Sequence, residues 1–104
     1  MTRSEIKAFL LTIDPNIERY ESSRTASESY TVWRELGPAT IYADGRDAGV
    51  MRFQVDRFTK HESDEIANNL WIALEDRDDI AFEYIVDYER DTGYIHHIFD
   101  CEGC

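Results

Sequence analysis

The residues with the greatest chemical potential lie near the end of the chain. His96-His97 followed by Cys101-x-x-Cys104 places four zinc-competent donors within nine residues, and neutral imidazole with thiolate is a good zinc set. Neighbouring residues on a strand face opposite sides, however, so the two imidazoles diverge. Structural zinc sites also draw their ligand pairs from separate segments. A redox role for the cysteines would need a thioredoxin-like βαβ context, which the flanking sequence lacks. No metal or cofactor is expected, and Cys101 to Cys104 reads as a frayed C-terminal tail.

Glu83, Asp87, Glu89 and Asp91 raise a second possibility, a carboxylate pair for hydrolysis or for a divalent cation. Glu83 and Asp87 share a strand face, but no pocket-forming set of His, Lys or Arg accompanies them, so they read as a solvated acidic face. Asp91-Thr92-Gly93 matches the tripeptide of aspartic proteases. Those enzymes embed it in an apolar strand and follow it with a flap and further strands, whereas only eleven residues follow it here, and Asp and Gly are ordinary turn formers. A phosphate-binding Gly-rich loop and a Gly-x-Ser-x-Gly nucleophile elbow are both absent. An enzyme is not expected. Arg46, in Asp44-Gly45-Arg46-Asp47, is placed to be a recognition arginine on a loop, although a lone surface charge more often has no role.

The elements that must position these residues centre on Ile80 to Phe99. Phe82, Tyr84, Val86 and Tyr88 alternate with Ala81, Glu83, Ile85 and Asp87, and after Glu89-Arg90-Asp91-Thr92-Gly93 the alternation resumes, with Ile95, His97 and Phe99 against Tyr94, His96 and Ile98. That is a β-hairpin with a Gly-containing loop. Upstream, Thr2 and Glu5 have capping-box spacing before Ile6, Phe9, Leu10 and Ile13, which predicts a helix from about Arg3 to Leu11 or Thr12, stopped by Asp14-Pro15. Glu21 to Ser27 reads as a loop, Ser29 to Glu35 as a strand ended by Gly37-Pro38, and Ala39 to Tyr42 as a short strand before a loop through Gly49. Met51, Phe53 and Val55 alternate with Arg52, Gln54 and Asp56 in a half-buried strand. Ser63 is the expected N-cap of a helix carrying Ile66, Leu70, Ala73 and Leu74 to about Glu75. Trp71 lies off that stripe, where it either widens the buried face or remains available to a partner. The expected fold class is α+β, a mainly antiparallel sheet of four to five strands with two helices packed on one face, in a single domain.

Charge is unevenly placed. Residues 1 to 60 carry nine basic and nine acidic residues, whereas residues 61 to 104 carry two basic and thirteen acidic ones, which supplies the whole net charge of -11. Such an excess opposes phosphate-backbone binding, so no sequence-specific nucleic-acid binding is expected. No apolar run approaches a membrane span and the N-terminus does not read as a signal peptide, so a cytosolic protein with no membrane partner is expected.

Three stretches carry a family resemblance: Tyr30-Thr-Val-Trp-Arg, Met51-Arg-Phe-Gln-Val-Asp-Arg-Phe before a helix rich in Ala, Asn and Leu, and Asp87-Tyr-Glu-Arg-Asp-Thr-Gly-Tyr-Ile-His-His-Ile-Phe-Asp. Over about residues 29 to 100 the chain resembles the tail-terminator or tail-completion proteins of long-tailed bacteriophages. The resemblance implies a structural protein of the virion's head-tail junction, assembled in the host cytoplasm. It would be a homo-oligomeric ring, usually a hexamer, that caps the tail-tube protein and meets the head connector protein. The Cys-Glu-Gly-Cys ending departs from the family, and the first loop does not align with it. On this reading Asp78, Asp79, Glu83 and Asp87 line the lumen or rim, and Asp44, Arg46 and Asp47 contact tube or connector. The alternatives are another head-tail joining or minor capsid protein, or an acidic immunity protein that neutralises a basic toxin.

Overall fold

The computed structural model describes residues 1–20, 29–38 and 49–104. Their elements run α1 (Arg3–Ile13), β1 (Glu18–Arg19), β2 (Tyr30–Pro38), β3 (Met51–Thr59), α2 (Glu65–Glu75), β4 (Ile80–Glu89) and β5 (Tyr94–Gly103). The fold is α+β. Five strands form one sheet in the order β1-β2-β3-β5-β4, antiparallel throughout except for the parallel β1–β2 pair.

Helix α1 begins as its sequence predicts. Thr2 Oγ1 accepts the Glu5 N–H at 3.2 Å and Glu5 Oε1 accepts the Thr2 N–H at 3.0 Å, a complete capping box. The Thr2 N–H also holds the Glu5 carboxyl below its ordinary pKa. The helix continues to Ile13, past the expected end, because Asp14 rather than Pro15 is its C-cap. Helix α2 starts after Asp64, not Ser63. The Asp64 carboxylate accepts the Ala67 N–H at 2.9 Å, and its charge meets the positive end of the helix.

Alternation along β3 and β5 builds the core. Val55 lies between Trp33 of β2 and Phe99 of β5, and Phe53 faces Cys101. Ile6 and Leu10 of α1 and Leu70 and Leu74 of α2 close over these residues, so both helices pack on one face of the sheet. Each large apolar side chain buried there contributes about 1.5–3 kcal/mol of transfer free energy.

Two expectations need correction, and one element was not foreseen. Strand β2 does not stop at Glu35 but passes through an irregularity between Glu35 and Gly37, where Gly37 takes φ 98°, and pairs on to Pro38, where it ends. The C-terminal residues are not a frayed tail. Cys101 is fully buried within β5, which pairs with β3 and β4 as far as Gly103, and the Cys104 N–H donates to the Asp79 carbonyl at 2.8 Å. The two-residue strand β1 has no periodicity long enough to read from sequence, and it exists because the turn after α1 lays Glu18 beside Val32. The expected short strand Ala39 to Tyr42 and the loop residues 21–27 and 43–48 fall outside the described residues.

Candidate interaction surface on strand β4 and helix α2

Strand β4 is the edge of the sheet. Among the described residues it is hydrogen-bonded on one side, to β5, and leaves its other side unpaired. Its apolar side chains are correspondingly exposed: Ile85 by 55%, Val86 by 50% and Tyr88 by 60%. They point to both faces, because Tyr84, Val86 and Tyr88 share the helix side while Ile85 takes the other. Helix α2 covers only the first part of the strand, where Trp71 packs edge-on against Phe82 and Tyr84 with ring centroids 5.2 Å apart in each pair. The exposed Trp71 indole and Ile72 extend the apolar strip onto the helix.

Between α2 and the middle of this hairpin lies a groove of about 700 Å³, lined by Glu62, Asp64, Glu65, Trp71, Tyr84 and His97, among others. His97 is a buried polar member of its lining. Its Nδ1 lies 2.7 Å from the Tyr84 hydroxyl, while Nε2 is buried without a hydrogen-bond partner. Burial depresses the His97 pKa, Arg57 and His96 add to that, and Asp64 opposes it, so the imidazole is held neutral more firmly than an exposed one.

The wall of this groove is anchored by a buried arginine. Arg57 continues the core-facing side of β3, and its Nε and Nη2 donate to the two Asp64 oxygens at 2.9 and 3.0 Å. Nη1 donates to Thr31 Oγ1 at 3.2 Å and lies 3.9 Å from the Asp14 carboxylate. One side chain thus ties the C-cap of α1 and the N-cap of α2 to the central strand. Burial alone would raise the Asp64 pKa, but the Arg57 hydrogen bonds and the Ala67 N–H together keep it below the usual carboxylate value.

The acids expected at a lumen or rim are strung along β4 rather than gathered. At about 3.4 Å per residue, Glu83 and Asp87 stand roughly 14 Å apart, too far to act as one carboxylate pair. Asp78 is exposed in the turn before β4, and Asp79 is held by Arg77 at 2.7 and 2.8 Å, which lowers its pKa through that hydrogen bond. Asp44, Arg46 and Asp47 lie outside the described residues. His96 and His97 occupy opposite faces, as alternation requires. His96 stacks on Phe58 with ring centroids 4.0 Å apart and donates to Asp56 Oδ1 at 2.8 Å. Among the described residues, no three of His, Cys, Asp and Glu are grouped to hold a metal ion, and no helix is long and apolar enough to cross a membrane.

Sequence reasoning missed Arg57 and the groove. The signal for Arg57 was present, since it stands two residues beyond Val55 in a strand of period two and shortly before an acidic helix start. The groove had no such signal, because Tyr84 and His97 meet only through pairing across the hairpin. No protein-family model matches this chain, and no curated protein matches its sequence.

Proposed function

We propose that this chain is a structural assembly protein whose working form is a ring, and that the free edge of β4 is one half of its subunit contact. The observation that carries the proposal is that edge itself. A strand of ten residues that exposes Ile85, Val86 and Tyr88 is a template for pairing with another chain.

Charge favours a closed ring over a two-fold dimer. Glu83, Asp87 and Glu89 lie along β4, so two copies meeting edge to edge across a two-fold axis would bring like charges together. The far side of the sheet belongs to the half of the chain whose charges cancel, and it exposes Arg34 on β2. Head-to-tail contact between unlike edges avoids the repulsion, and heterologous contacts form a ring where the rotation between subunits closes. This reading agrees with the resemblance to phage tail terminators, in which the ring caps the tail tube and meets the head connector. The helix-free sheet face carries Glu83, Asp87 and Asp100, and turned inward it would repel passing DNA phosphates.

Light-scattering chromatography across protein concentration, with and without purified tail-tube protein, tests the proposal. The expected result is a ring mass, formed alone or on the tube, that Ile85→Lys abolishes without unfolding the chain. A monomer indifferent to concentration and to tube protein refutes it.

A further inference from the structure

We infer that the groove between α2 and the β4–β5 hairpin accepts the cationic side chain, arginine or lysine, of a partner protein. Trp71 and Tyr84 supply aromatic rings, the residues 41% and 37% accessible, of the kind that attract a guanidinium or ammonium. Glu62 and Glu65 stand on the same groove, exposed and with no ion-pair partner among the described residues. Asp64 between them is already committed to Arg57 and to the Ala67 N–H. His97 supplies an independent observation. It is more than nine-tenths buried, it lines the groove, and its Nε2 has no partner. In the tautomer that donates its Nδ1 proton to the Tyr84 oxygen, the one a cationic ligand selects, Nε2 is an unfilled acceptor and the Tyr84 O–H is left free as a donor; in the other tautomer Nε2 itself carries the proton. Nε2 has almost no accessible surface, so an arriving N–H donor satisfies it only after a small shift of the side chains that cover it.

Competing ligand chemistries fit less well. The start of a helix ordinarily attracts anions, but here Asp64 occupies the cap and Glu65 the first turn, so a phosphate or carboxylate would meet three acids. A wholly apolar ligand would leave Glu62 and Glu65 uncompensated and Nε2 unpaired. The groove volume lies within the usual range for small ligands and is ample for one long basic side chain. The inference goes beyond the ring reading and does not depend on it: the groove shares Tyr84 with β4 and borders its exposed strip, but Glu62, Glu65 and Trp71 belong to α2 and the segment before it.

Titration of the full chain with a short capped arginine peptide, against the same peptide carrying citrulline, tests this by two-dimensional NMR. The indole N–H of Trp71 should shift saturably with the arginine peptide and not with citrulline, while that of the buried Trp33 serves as internal reference. Trp71→Ala should weaken binding about 2- to 5-fold, the size of one partly exposed cation–π contact. The paired change Glu62→Gln and Glu65→Gln, at exposed positions that do not burden folding, should weaken it by a similar factor. Binding that is unchanged in the Glu62→Gln/Glu65→Gln variant, or shifts spread evenly over Glu83 and Asp87, overturn the inference in favour of general attraction to an acidic surface. The absence of a saturable Trp71 shift overturns it outright. None of these readouts changes if the protein proves not to form a ring.

Discussion

Replacing Arg57 by Met should be among the most damaging single changes this protein can suffer. The side chains of Arg57, Asp64 and Asp14 retain only 9%, 11% and 6% of their exposure, so the ion pair they form lies largely out of water. Methionine fills most of the space left by the arginine stem but withdraws both hydrogen bonds to Asp64, each worth about 1.5–3 kcal/mol for a charged partner. It also leaves two carboxylates without their cation. Part of this loss is offset because the guanidinium no longer has to be desolvated, which brings the expected cost to about 3–5 kcal/mol, that of breaking one side of a buried pair. A chain of this size has about 5–15 kcal/mol of stability in total. The variant should therefore unfold at much lower urea, with an unchanged m value, and melt at least about 12 °C lower. Asp64→Ser keeps a capping oxygen while removing the charge, so the double variant should cost about 1–3 kcal/mol less than the sum of the singles. If Arg57→Met costs under about 1 kcal/mol, the level of an exposed pair, the anchoring role is refuted.

Two further outcomes follow from the same core. The folded His97 takes its proton at lower pH than the unfolded chain, so the unfolded chain binds more protons as pH drops below about 6.5, and stability falls with it. Asp64 adds a second loss further down, below the ordinary carboxylate pKa. Urea titrations between about pH 7.5 and 5 should show His97→Gln losing part of the wild-type slope, and parallel curves would refute the assignment. The two thiols should also separate cleanly. Cys104 is exposed and should react with a disulfide reagent at once, whereas burial pushes the Cys101 thiol pKa up and the core shields it, so it should react only as fast as the protein unfolds. Two fast thiols in the native protein would contradict the placement of Cys101.

Where the sequence carried a long period, it was legible. The hairpin, the two faces of β3 and the capping box of α1 all rest on several residues repeating one pattern, and each is found where that pattern puts it. The misreadings come from places where the decisive partner is remote in sequence. Cys101 and Gly103 looked like a tail because their own composition is polar and short, yet they are strand because β3 is present to pair with them. Arg57 drew no reading because a charged residue ordinarily marks the solvent side, and only the arrival of Asp64 and Asp14 makes its burial tolerable. Ser63 and Asp64 are both good caps, and the choice between them is made by Arg57. The surface was half legible: Trp71 stood off its helical stripe, but its aromatic partners lie on another element.

The placement of β5 between β3 and β4 also bears on how the chain reaches this state. The β4–β5 hairpin closes a short loop and can form early, but β5 must then receive β3 along its other side, with Thr59 opposite Ile95 and Met51 opposite Gly103, across an intervening segment that holds α2. Until that happens, a hairpin rich in Phe, Tyr and Ile presents two bare edges at once. Glu83, Asp87, Glu89, Asp100 and Glu102 are spaced along those same strands, and their mutual repulsion keeps one waiting hairpin from annealing to another. The acids that give the finished surface its charge thus also act as gatekeepers, holding the chain out of aggregates until its own third strand arrives.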